Sequence, residues 1–575
     1  KPQRNDIYLS LIKPDKQLGD EGYVLATTHY VSIEAPTVKG LFWGTRSLLQ
    51  ILYNQQGKLP KGTARDFPKF SSRGFMLDVA RKFFTLDYLK QYVKILSFYK
   101  MNEFQIHLND NGFPQFFNND WKMTYAAFRL ESERFPGLTA KDGSYTKQEF
   151  SNLQRMGMSY GVNVIPEIDI PAHSLAFTHY KPEIGSKEYG MDHLDLYKDE
   201  TYHFLDTLFD EYLSGEHPIF IGPDVHIGTD EYNKKEAEQY RYFTDRYLKY
   251  IEKYGKNPRM WGGLKWLPGK TPVKAGGVTV NAWSYDWIDP EASLREGYQL
   301  INTCDTYLYI VPRAGYYREF LDHKWIYESW SPWLMNSKQT LPEGTPGVLG
   351  GMFAVWNDMC GNGISEQDVH LRSFPAIQVL AEKLWKGDNK IVSYESFEAL
   401  CRIMPEAPGV NLLARIPKEM CLTPLGKVCL LSGTDTIRTA LQEVGYPYVV
   451  SFKIYPDKDT NINGILFEGP HSKVYTNWEN TGRIAFSRDG YTFVFGSYCL
   501  PKGKWTDICI SGDYKGTSLY VNGKLQERLE GRKMKVYCKK NKRMDYMPYQ
   551  ETLIFPLRWI GNPLNGFKGK IQNVT

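Results

Sequence analysis

The sequence predicts an α/β protein whose central domain is a (β/α)8 TIM barrel. Short apolar segments recur along the chain, amphipathic stretches such as 86–99 and 201–213 separate several of them, and almost every segment ends in a polar residue or Trp. Eight such segments over about 285 residues fit this barrel. They are residues 75–78, 104–110, 162–169, 225–231, 259–261, 278–283, 300–302 and 352–356. A doubly wound sheet is the alternative, but it explains the terminal Trp residues less well.

The segments before and after the barrel have different patterns. Residues 1–68 predict a small N-terminal α+β domain, with strands near 7–11 and 23–25 and a helix over 40–52. We place the barrel domain at 69–395. The fifth to seventh strand spacings are short for full helices, so that part should be irregular.

Residues 396–575 predict a proline-containing linker followed by a C-terminal all-β jelly-roll sandwich. Short apolar segments alternate with turn residues, and Asn522-Gly523 is a strong hairpin signal. The segments are 448–455, 464–467, 483–486, 491–495, 505–510 and 518–521.

Composition excludes several classes of protein. Of 575 residues, 42% are hydrophobic and 23% charged, as in globular proteins. No apolar run approaches the roughly eighteen residues of a membrane span. A net charge of +5 is too small to predict a nucleic-acid partner. The eight Cys form no C-x-x-C pair, and we predict neither a metal nor a cofactor. The 15% aromatic content suits sugar stacking, although composition alone favours an ordinary aromatic core.

The acid pair Asp230-Glu231 follows the fourth apolar segment. Adjacent like charges raise the pKa of one partner, which suits a general acid that must hold its proton near neutral pH. Neighbouring side chains of a strand point to opposite faces, so the two carboxyls should have different roles. The alternative is a pair that caps the helix beginning near 233–236.

Four ordered segments resemble family 20 glycoside hydrolases, the β-N-acetylhexosaminidases. Residues 73–81, 107–110, 166–173 and 226–231 resemble the first four barrel strands of that family, and 40–48 resemble its small N-terminal domain. The likeness covers roughly residues 1–390. The C-terminal domain resembles laminin-G or concanavalin-like jelly rolls, through 505–508, 519–523 and 560–569.

The family resemblance implies a retaining mechanism in which the substrate supplies the nucleophile. The 2-acetamido oxygen would attack the anomeric carbon and form an oxazolinium ion. Asp230 would accept the acetamido N–H, Glu231 would act as general acid and then base, and Tyr307 would bind the acetamido oxygen. The further residues that the resemblance assigns to substrate binding are Arg73, Asp110, Asp169, His173, Trp261, Trp283, Tyr309, Trp356 and Asp358. Taken singly, each could instead be a packed core residue or an ordinary ion pair.

Two positions depart from the family pattern. Tyr309 stands where the family usually has an acid, and Asp358 replaces a Glu. In the family these acids bind hydroxyls 4 and 6 of the terminal sugar. The change makes this corner less negative and roomier, and Arg313 and Arg318 follow closely, so we expect a 6-O-sulfate to be accepted. Solvated loop arginines and a repacked pocket are the alternative.

The sequence therefore predicts a glycoside hydrolase: an exo-acting β-N-acetylhexosaminidase that releases terminal N-acetylglucosamine from an oligosaccharide or glycoconjugate. A non-catalytic glycan-binding protein, a disaccharide-releasing lacto-N-biosidase type and a glycosidase with its own nucleophile remain alternatives. The first residues contain no apolar signal region. The resemblance nevertheless leads us to expect a secreted, periplasmic or cell-surface protein.

Overall fold

The computed structural model describes residues 2–388, 391–416, 418–488, 490–538 and 543–575, without side chains for 532–538 and 543–548. The chain divides into two compact units. One consists mainly of Lys1–Cys360 and Arg372–Val410, and the other of Gly361–Leu371, Asn411–Val536 and Met544–Thr575.

The first unit begins with a small α+β domain. Its strands are β1 (Ile7–Leu11), β2 (Tyr23–Thr27), β3 (Val31–Ala35) and β4 (Gly62–Asp66), in the spatial order β1-β3-β2-β4. Helix α1 (Val38–Asn54) begins at Thr37, whose side chain accepts a hydrogen bond from the Gly40 N–H. Its buried Trp43 packs into the core of this domain.

Eight parallel strands close into a barrel, which confirms the predicted fold class. They are β5 (Ser72–Asp78), β6 (Glu103–His107), β7 (Asn163–Ile170), β8 (Asp224–Gly228), β9 (Asn257–Trp261), β10 (Thr279–Ala282), β11 (Gln299–Asn302) and β12 (Val348–Val355). Strand β12 pairs with both β5 and β11 and so closes the circle. Because all strands run in parallel, their carboxyl ends meet at one rim of the barrel.

The helices between β9 and β12 are short, as the spacing predicts, whereas the helix that follows β12 has 21 residues. The helices of the chain after α1 are α2 (Leu86–Phe98), α3 (Lys147–Ser159), α4 (Leu175–Tyr180), α5 (Asp199–Leu213), α6 (Ala237–Lys253), α7 (Pro290–Glu296), α8 (Asp305–Leu308), α9 (His323–Glu328), α10 (Glu366–Lys386) and α11 (Tyr394–Ile403). Short 3-10 turns lie at Pro114–Phe116, Pro182–Ile184 and Lys234–Glu236. Thr146 and Glu149 form a reciprocal capping box at the start of α3.

Minor strands lie in the loops of the first unit. Asn109–Asn111 pairs with Ala126–Phe128, Gly185–Ser186 with Gly190–Leu194, and Leu334–Asn336 with Gln339–Thr340. Tyr309–Ile310 pairs with the end of β12. These loops leave the carboxyl-end rim of the barrel irregular, where functional residues of such barrels lie.

The second unit is all-β, as predicted. Its strands are β13 (Val428–Ser432), β14 (Thr436–Arg438), β15 (Tyr448–Pro456), β16 (Gly464–Glu468), β17 (Ser472–Trp478), β18 (Arg483–Arg488), β19 (Tyr491–Val494), β20 (Thr506–Gly512), β21 (Thr517–Val521), β22 (Lys524–Leu529), β23 (Trp559–Gly561) and β24 (Lys568–Gln572). They form two six-stranded sheets, β13-β24-β15-β20-β21-β22 and β14-β23-β16-β17-β18-β19.

Further strands lie at Glu443–Val444, Arg532–Cys538, Arg543–Tyr549 and Phe555–Pro556. One apolar cluster that includes Phe452, Phe467 and Phe486 fills the core of the second unit. Among the described residues of the whole chain, no helix is long and apolar enough to span a bilayer.

Candidate active site

The loop after β8 carries the acid pair in a constrained backbone conformation. Gly228, Thr229 and Glu231 all have positive φ, at 70°, 67° and 36°. Such conformations are unfavourable for side-chain-bearing residues and persist only where surrounding contacts hold them. The Tyr240 hydroxyl donates to the Thr229 carbonyl, and the Thr229 N–H donates to the Ile170 carbonyl at 2.9 Å. The turn thus fixes the direction of both carboxyls.

Gly228 is required because Asp169 lies directly against it. A Cβ at position 228 would stand 1.7 Å from Asp169 Oδ1. The absence of a side chain therefore allows β7 and β8 to bring Asp169 and the acid pair together.

Gly228→Ala should lower the free energy of unfolding by at least about 3 kcal/mol, because both the clash and the positive φ oppose it. Gly255 is the matched control, since it also has a positive φ (73°) but has no atom within 4 Å of its would-be Cβ. Gly255→Ala should lose only about 1 kcal/mol. Urea unfolding of both variants measures this, and equal losses would contradict a special role for position 228.

Asp230 and Glu231 share one partner, His173. The Nε2 atom of His173 lies 3.7 Å from Asp230 Oδ2 and 3.2 Å from Glu231 Oε2. Asp230 is buried, and its Oδ1 has no hydrogen-bond partner among the described residues. The Glu231 side chain is 49% exposed. One carboxyl is therefore enclosed with a free acceptor atom, while the other is about half exposed.

The two carboxyls have unequal affinities for protons. Burial, together with the charge of Glu231, raises the pKa of Asp230 to about 6, although His173 opposes this. Burial also favours the neutral form of Glu231, but contact with the His173 imidazolium outweighs it and lowers the pKa of Glu231. Burial and the charge of Asp230 raise the pKa of Asp169 well above its usual range. The sequence predicted a raised pKa at this pair, and the structure assigns it to Asp230.

A buried charge network holds His173. Its Nδ1 lies 2.9 Å from Asp110 Oδ1, and Asp110 Oδ2 lies 2.7 Å from His107 Nε2 and 2.9 Å from Arg81 Nη1. Burial disfavours the charged imidazole, but the charges of Asp110, Asp230 and Asp169 raise the pKa of His173 well above its usual range. His173 is therefore an imidazolium fixed against the acid pair.

Three tryptophans form what we call the tryptophan box (Trp261, Trp283 and Trp356). The rings of Trp261 and Trp356 lie 5.6 Å apart at 48°. Trp261 donates to Glu167 Oε1 at 2.6 Å, and Trp283 donates to the Gly262 carbonyl at 2.8 Å. These bonds fix two of the three indoles, and Trp356 packs against Trp261 in the same apolar cluster.

Tyr309 and Tyr317 join the box to the acid pair. Tyr309 is buried 5.9 Å from Trp356, and burial together with the charges of Asp305, Tyr317 and Asp230 raises its pKa well above the usual range. The Tyr317 hydroxyl donates to Asp305 Oδ2 at 2.9 Å. Burial and the charge of Asp305 raise the pKa of Tyr317, and the charge of Glu231 adds to this effect.

Asp358 lies beside Arg81 and Tyr316. Its Oδ1 lies 3.4 Å from Arg81 Nη1, and its Oδ2 accepts the Tyr316 hydroxyl at 2.6 Å. Burial raises the pKa of Asp358 despite the Arg81 charge. The structure thus brings together ten of the predicted residues: Asp110, Asp169, His173, Asp230, Glu231, Trp261, Trp283, Tyr309, Trp356 and Asp358.

Arg73 does not lie at this site, and the prediction that it contacts the substrate is wrong. It is the second residue of β5, at the amino end of the barrel, fully buried. Its guanidinium bonds Glu21 at 2.5 Å and the carbonyls of Lys100 and Phe70 at 2.7 and 2.8 Å. The arginine at the carboxyl end is Arg81, three residues after β5 ends.

Tyr307 does not reach the cluster either. It lies in α8 and packs on Trp325 at 4.5 Å. Tyr309, two residues later, is buried within the electrostatic influence of Asp230. The residue two positions later is then Val311, which is buried beside Tyr309 and Trp356.

Sequence reasoning missed three further residues of the site. His107 bridges Asp110 and Glu167, with Nδ1 3.0 Å from Glu167 Oε1, and Glu167 in turn holds Trp261. Arg81 contacts Asp78, Asp110 and Asp358. The direction of β5 could have identified Arg81 from the sequence. A residue that follows a barrel strand lies at the functional rim, whereas a residue near the start of the strand does not.

Two groups bring potential metal ligands within 4.8 Å of one another: His107, Glu167 and Asp169, and Asp169, His173 and Asp230. Neighbouring carboxylates outweigh burial and raise the pKa of both His107 and His173. An imidazole must be deprotonated to bind a metal, so a metal ion at either group would have to displace a proton from the histidine.

A pair of acids of unequal proton affinity, at the same carboxyl-end rim of a (β/α)8 barrel as a cluster of tryptophans, is the arrangement of a glycosidase-type barrel. The profile for glycosyl hydrolase family 20, catalytic domain, matches residues 70–241 and 233–388, and the profile for domain 2 of that family matches residues 1–67. The chain belongs to glycosyl hydrolase family 20.

Relatives and solved structures agree with this membership. A β-hexosaminidase of Porphyromonas gingivalis is 26% identical over 50% of this chain and 40% of its own length. A β-hexosaminidase of Akkermansia muciniphila is 28% identical over 47% of this chain and 60% of its own length. The chain thus spans about half the length of these curated relatives. The β-N-acetylhexosaminidase structure from Bacteroides fragilis shares the fold, with a TM-score of 0.56 and 24% identity over 68% of this chain and 82% of that one.

Proposed function

We propose that the chain is an exo-acting, retaining β-N-acetylhexosaminidase that releases terminal N-acetylglucosamine by substrate-assisted catalysis. The observation that carries the proposal is the difference in environment between the carboxyls of Asp230 and Glu231. Asp230 is buried with one free acceptor atom, and the Glu231 side chain is about half exposed. Family membership and the names of the relatives support the same activity.

In this mechanism the box holds the acetamido methyl and the sugar face, and Tyr309 donates to the acetamido oxygen. Asp230 accepts the acetamido N–H and stabilises positive charge as the oxazolinium ion forms. The acetamido oxygen forms the new bond to the anomeric carbon while the bond to the leaving oxygen breaks and Glu231 protonates that oxygen. Glu231 then removes a proton from the water that opens the oxazolinium ion, so the β configuration is retained.

Substrate binding moves the proton to the residue that needs it. A hydrogen bond from the acetamido N–H favours the ionised form of Asp230. The resulting charge raises the pKa of the neighbouring Glu231, which the leaving group also shields from water. His173 stabilises the combined charge of the pair. Glu231 is thus protonated when the sugar is bound, although its pKa is lowered in the free protein.

Hydrolysis of 4-nitrophenyl N-acetyl-β-glucosaminide, followed by NMR of the first-formed sugar, tests the proposal. We expect the β anomer of N-acetylglucosamine as the first product and no hydrolysis of the corresponding glucoside, which lacks the acetamide. Hydrolysis of both at similar rates would favour an enzyme nucleophile. Binding without hydrolysis would favour a glycan-binding protein.

The alkaline limb of the pH profile should reflect the one proton that the free acid pair holds. Because the pKa of Asp230 is raised to about 6 and that of Glu231 is lowered, this proton lies on Asp230 in the free protein and is lost above about pH 6. Since Glu231 must receive this proton when the sugar binds, kcat/KM should fall about tenfold per pH unit above about pH 6. A kcat/KM that stays constant from pH 6 to pH 8 would contradict this assignment.

We also propose that the site accepts a 6-O-sulfate on the terminal sugar. With Tyr309 in the tyrosine position, Val311 occupies the place of the usual acid, so this corner has lost a negative charge. Arg313 follows two residues later, and its Nε is buried without a hydrogen-bond partner among the described residues. Arg318 is exposed, and the proposed binding of sulfate does not depend on it. Comparing plain and 6-sulfated aryl N-acetylglucosaminides tests the idea, and a strong preference for the plain sugar would end it.

Release of single sugars rather than disaccharides is supported by Arg81. It is buried and held by three carboxylates, 5.9 Å from the Trp356 ring, where a second sugar on the non-reducing side would need space. A lacto-N-biosidase of Bifidobacterium bifidum is 23% identical over 68% of this chain and 36% of its own length. Product analysis of a tetrasaccharide separates the two modes of action. Free N-acetylglucosamine indicates release of single sugars, and a disaccharide indicates a lacto-N-biosidase type.

A further inference from the structure

A row of aromatic rings leads from the tryptophan box toward solvent. Trp283 of the box lies 5.4 Å from Trp287, and Trp287 stacks on Trp266 at 4.8 Å and 29°. Trp287 packs against the apolar cluster that contains the box. Trp287 therefore contacts both Trp283 and Trp266 and links them in one aromatic row.

Lysines cover the outer rings of this region. The ammonium of Lys234 lies 3.2 Å from the ring centre of Trp266. The ammoniums of Lys265 and Lys338 lie 3.6 and 4.5 Å from the ring centre of Tyr285, which is two residues before Trp287. We call Lys234, Lys265 and Lys338 the lysine rim. All three are exposed.

The lysine rim is electrostatically unbalanced. In the part of the chain that the structure describes, no carboxylate lies within 4.0 Å of any of its three ammoniums. Glu236, two residues after Lys234, and Asp286, next to Tyr285, form no ion pair with them. Two cations share the single ring of Tyr285, an arrangement that an anion placed between them would stabilise.

The position of the rim relates it to the leaving part of the substrate. Lys234 lies three residues after Glu231, in the same loop, and Glu231 is the group that protonates the leaving oxygen in the proposed mechanism. The row Trp283–Trp287–Trp266 joins the rim to the wall of the sugar pocket. A glycan that leaves past Glu231 would therefore pass these ammonium groups.

We propose that the lysine rim recognises an anionic substituent, a sulfate ester or a sugar carboxylate, on the leaving-group side of the glycan. The inference rests on the proposed function and adds the substrate class. Fixed ammonium groups at the mouth of a pocket increase the rate of capture of anionic substrates and weaken with salt. The effect concerns sugars beyond the scissile bond and is separate from sulfation of the terminal sugar.

The test compares three trisaccharides with an identical terminal N-acetylglucosamine: a neutral one, one sulfated on the second sugar, and one carrying a carboxylate there. We expect kcat/KM to be about tenfold higher for at least one anionic substrate at low salt, and the ratio to fall toward one at 0.5 M NaCl. The two anionic arms show which group is preferred.

The variant Lys234→Gln/Lys265→Gln/Lys338→Gln should reduce the anionic-to-neutral ratio about tenfold. Lys16→Gln/Lys58→Gln/Lys61→Gln removes the same charge from exposed positions in the N-terminal domain and should leave the ratio within about twofold. A ratio near one in the parent protein, or equal losses in both variants, would overturn the inference. Failure to release N-acetylglucosamine from the neutral trisaccharide would instead overturn the proposed function.

Discussion

Glu231→Gln should reduce kcat/KM for an unactivated N-acetylglucosaminide by about 10²–10⁴, the usual contribution of a general acid. The reason is that the amide occupies the same half-exposed position but has no proton to give the leaving oxygen. With a 2,4-dinitrophenyl leaving group, which departs without protonation, the first step should lose far less. Steady-state rates for the two substrates measure the difference.

Glu183→Gln is the control, because Glu183 is an exposed acid whose nearest cation, Lys181, is 3.9 Å away. Its kcat/KM should stay within about twofold of the parent. Equal losses for activated and unactivated substrates in Glu231→Gln would exclude Glu231 as the proton donor.

Asp230→Asn should reduce kcat by about 10²–10³, comparable to the loss of one preorganised group that stabilises transition-state charge. The asparagine keeps the size of the side chain but removes the charge that stabilises the oxazolinium ion. Because that charge develops mainly in the transition state, kcat should fall much more than KM rises. Initial rates over a range of substrate concentrations separate the two.

Asp286→Asn provides a matched loss of one exposed carboxylate in a nearby loop and should leave both constants unchanged within about twofold. A variant Asp230→Asn that changes KM alone would show that Asp230 serves binding and not the charge of the transition state.

The fold could be predicted because barrel strands carry a strong local signal. Segments such as 75–78 and 352–356 are short and apolar and end in functional residues, and the structure has β5 and β12 at these positions. Strand direction also explains why Asp110, Asp169 and Asp230 were found, because each follows or ends a strand. The two-sheet sandwich followed from turn residues at regular spacing, although pairing between distant strands such as β13 and β24 has no local signal.

The two wrong site predictions, Arg73 and Tyr307, concern residues a few positions away from the residue that reaches the site. Arg73 lies near the start of β5 and Arg81 three residues after its end, and only the direction of the strand separates the functional rim from the amino end. Tyr307 and Tyr309 differ by the short helix α8, which the sequence did not indicate and which places Tyr307 on Trp325. The His107–Glu167–Trp261 contacts depend on three different strands and could not be inferred from any one segment.

Fluorination of the acetamido group tests the central claim most directly. A series of aryl N-acyl-β-glucosaminides with zero to three fluorines on the acyl methyl changes the nucleophilicity of the carbonyl oxygen and leaves the leaving group unchanged. If the substrate supplies the attacking atom, kcat/KM falls steeply with each fluorine. If kcat/KM is insensitive to fluorination, the attacking atom belongs to the protein and the account given for Asp230 and Glu231 is wrong.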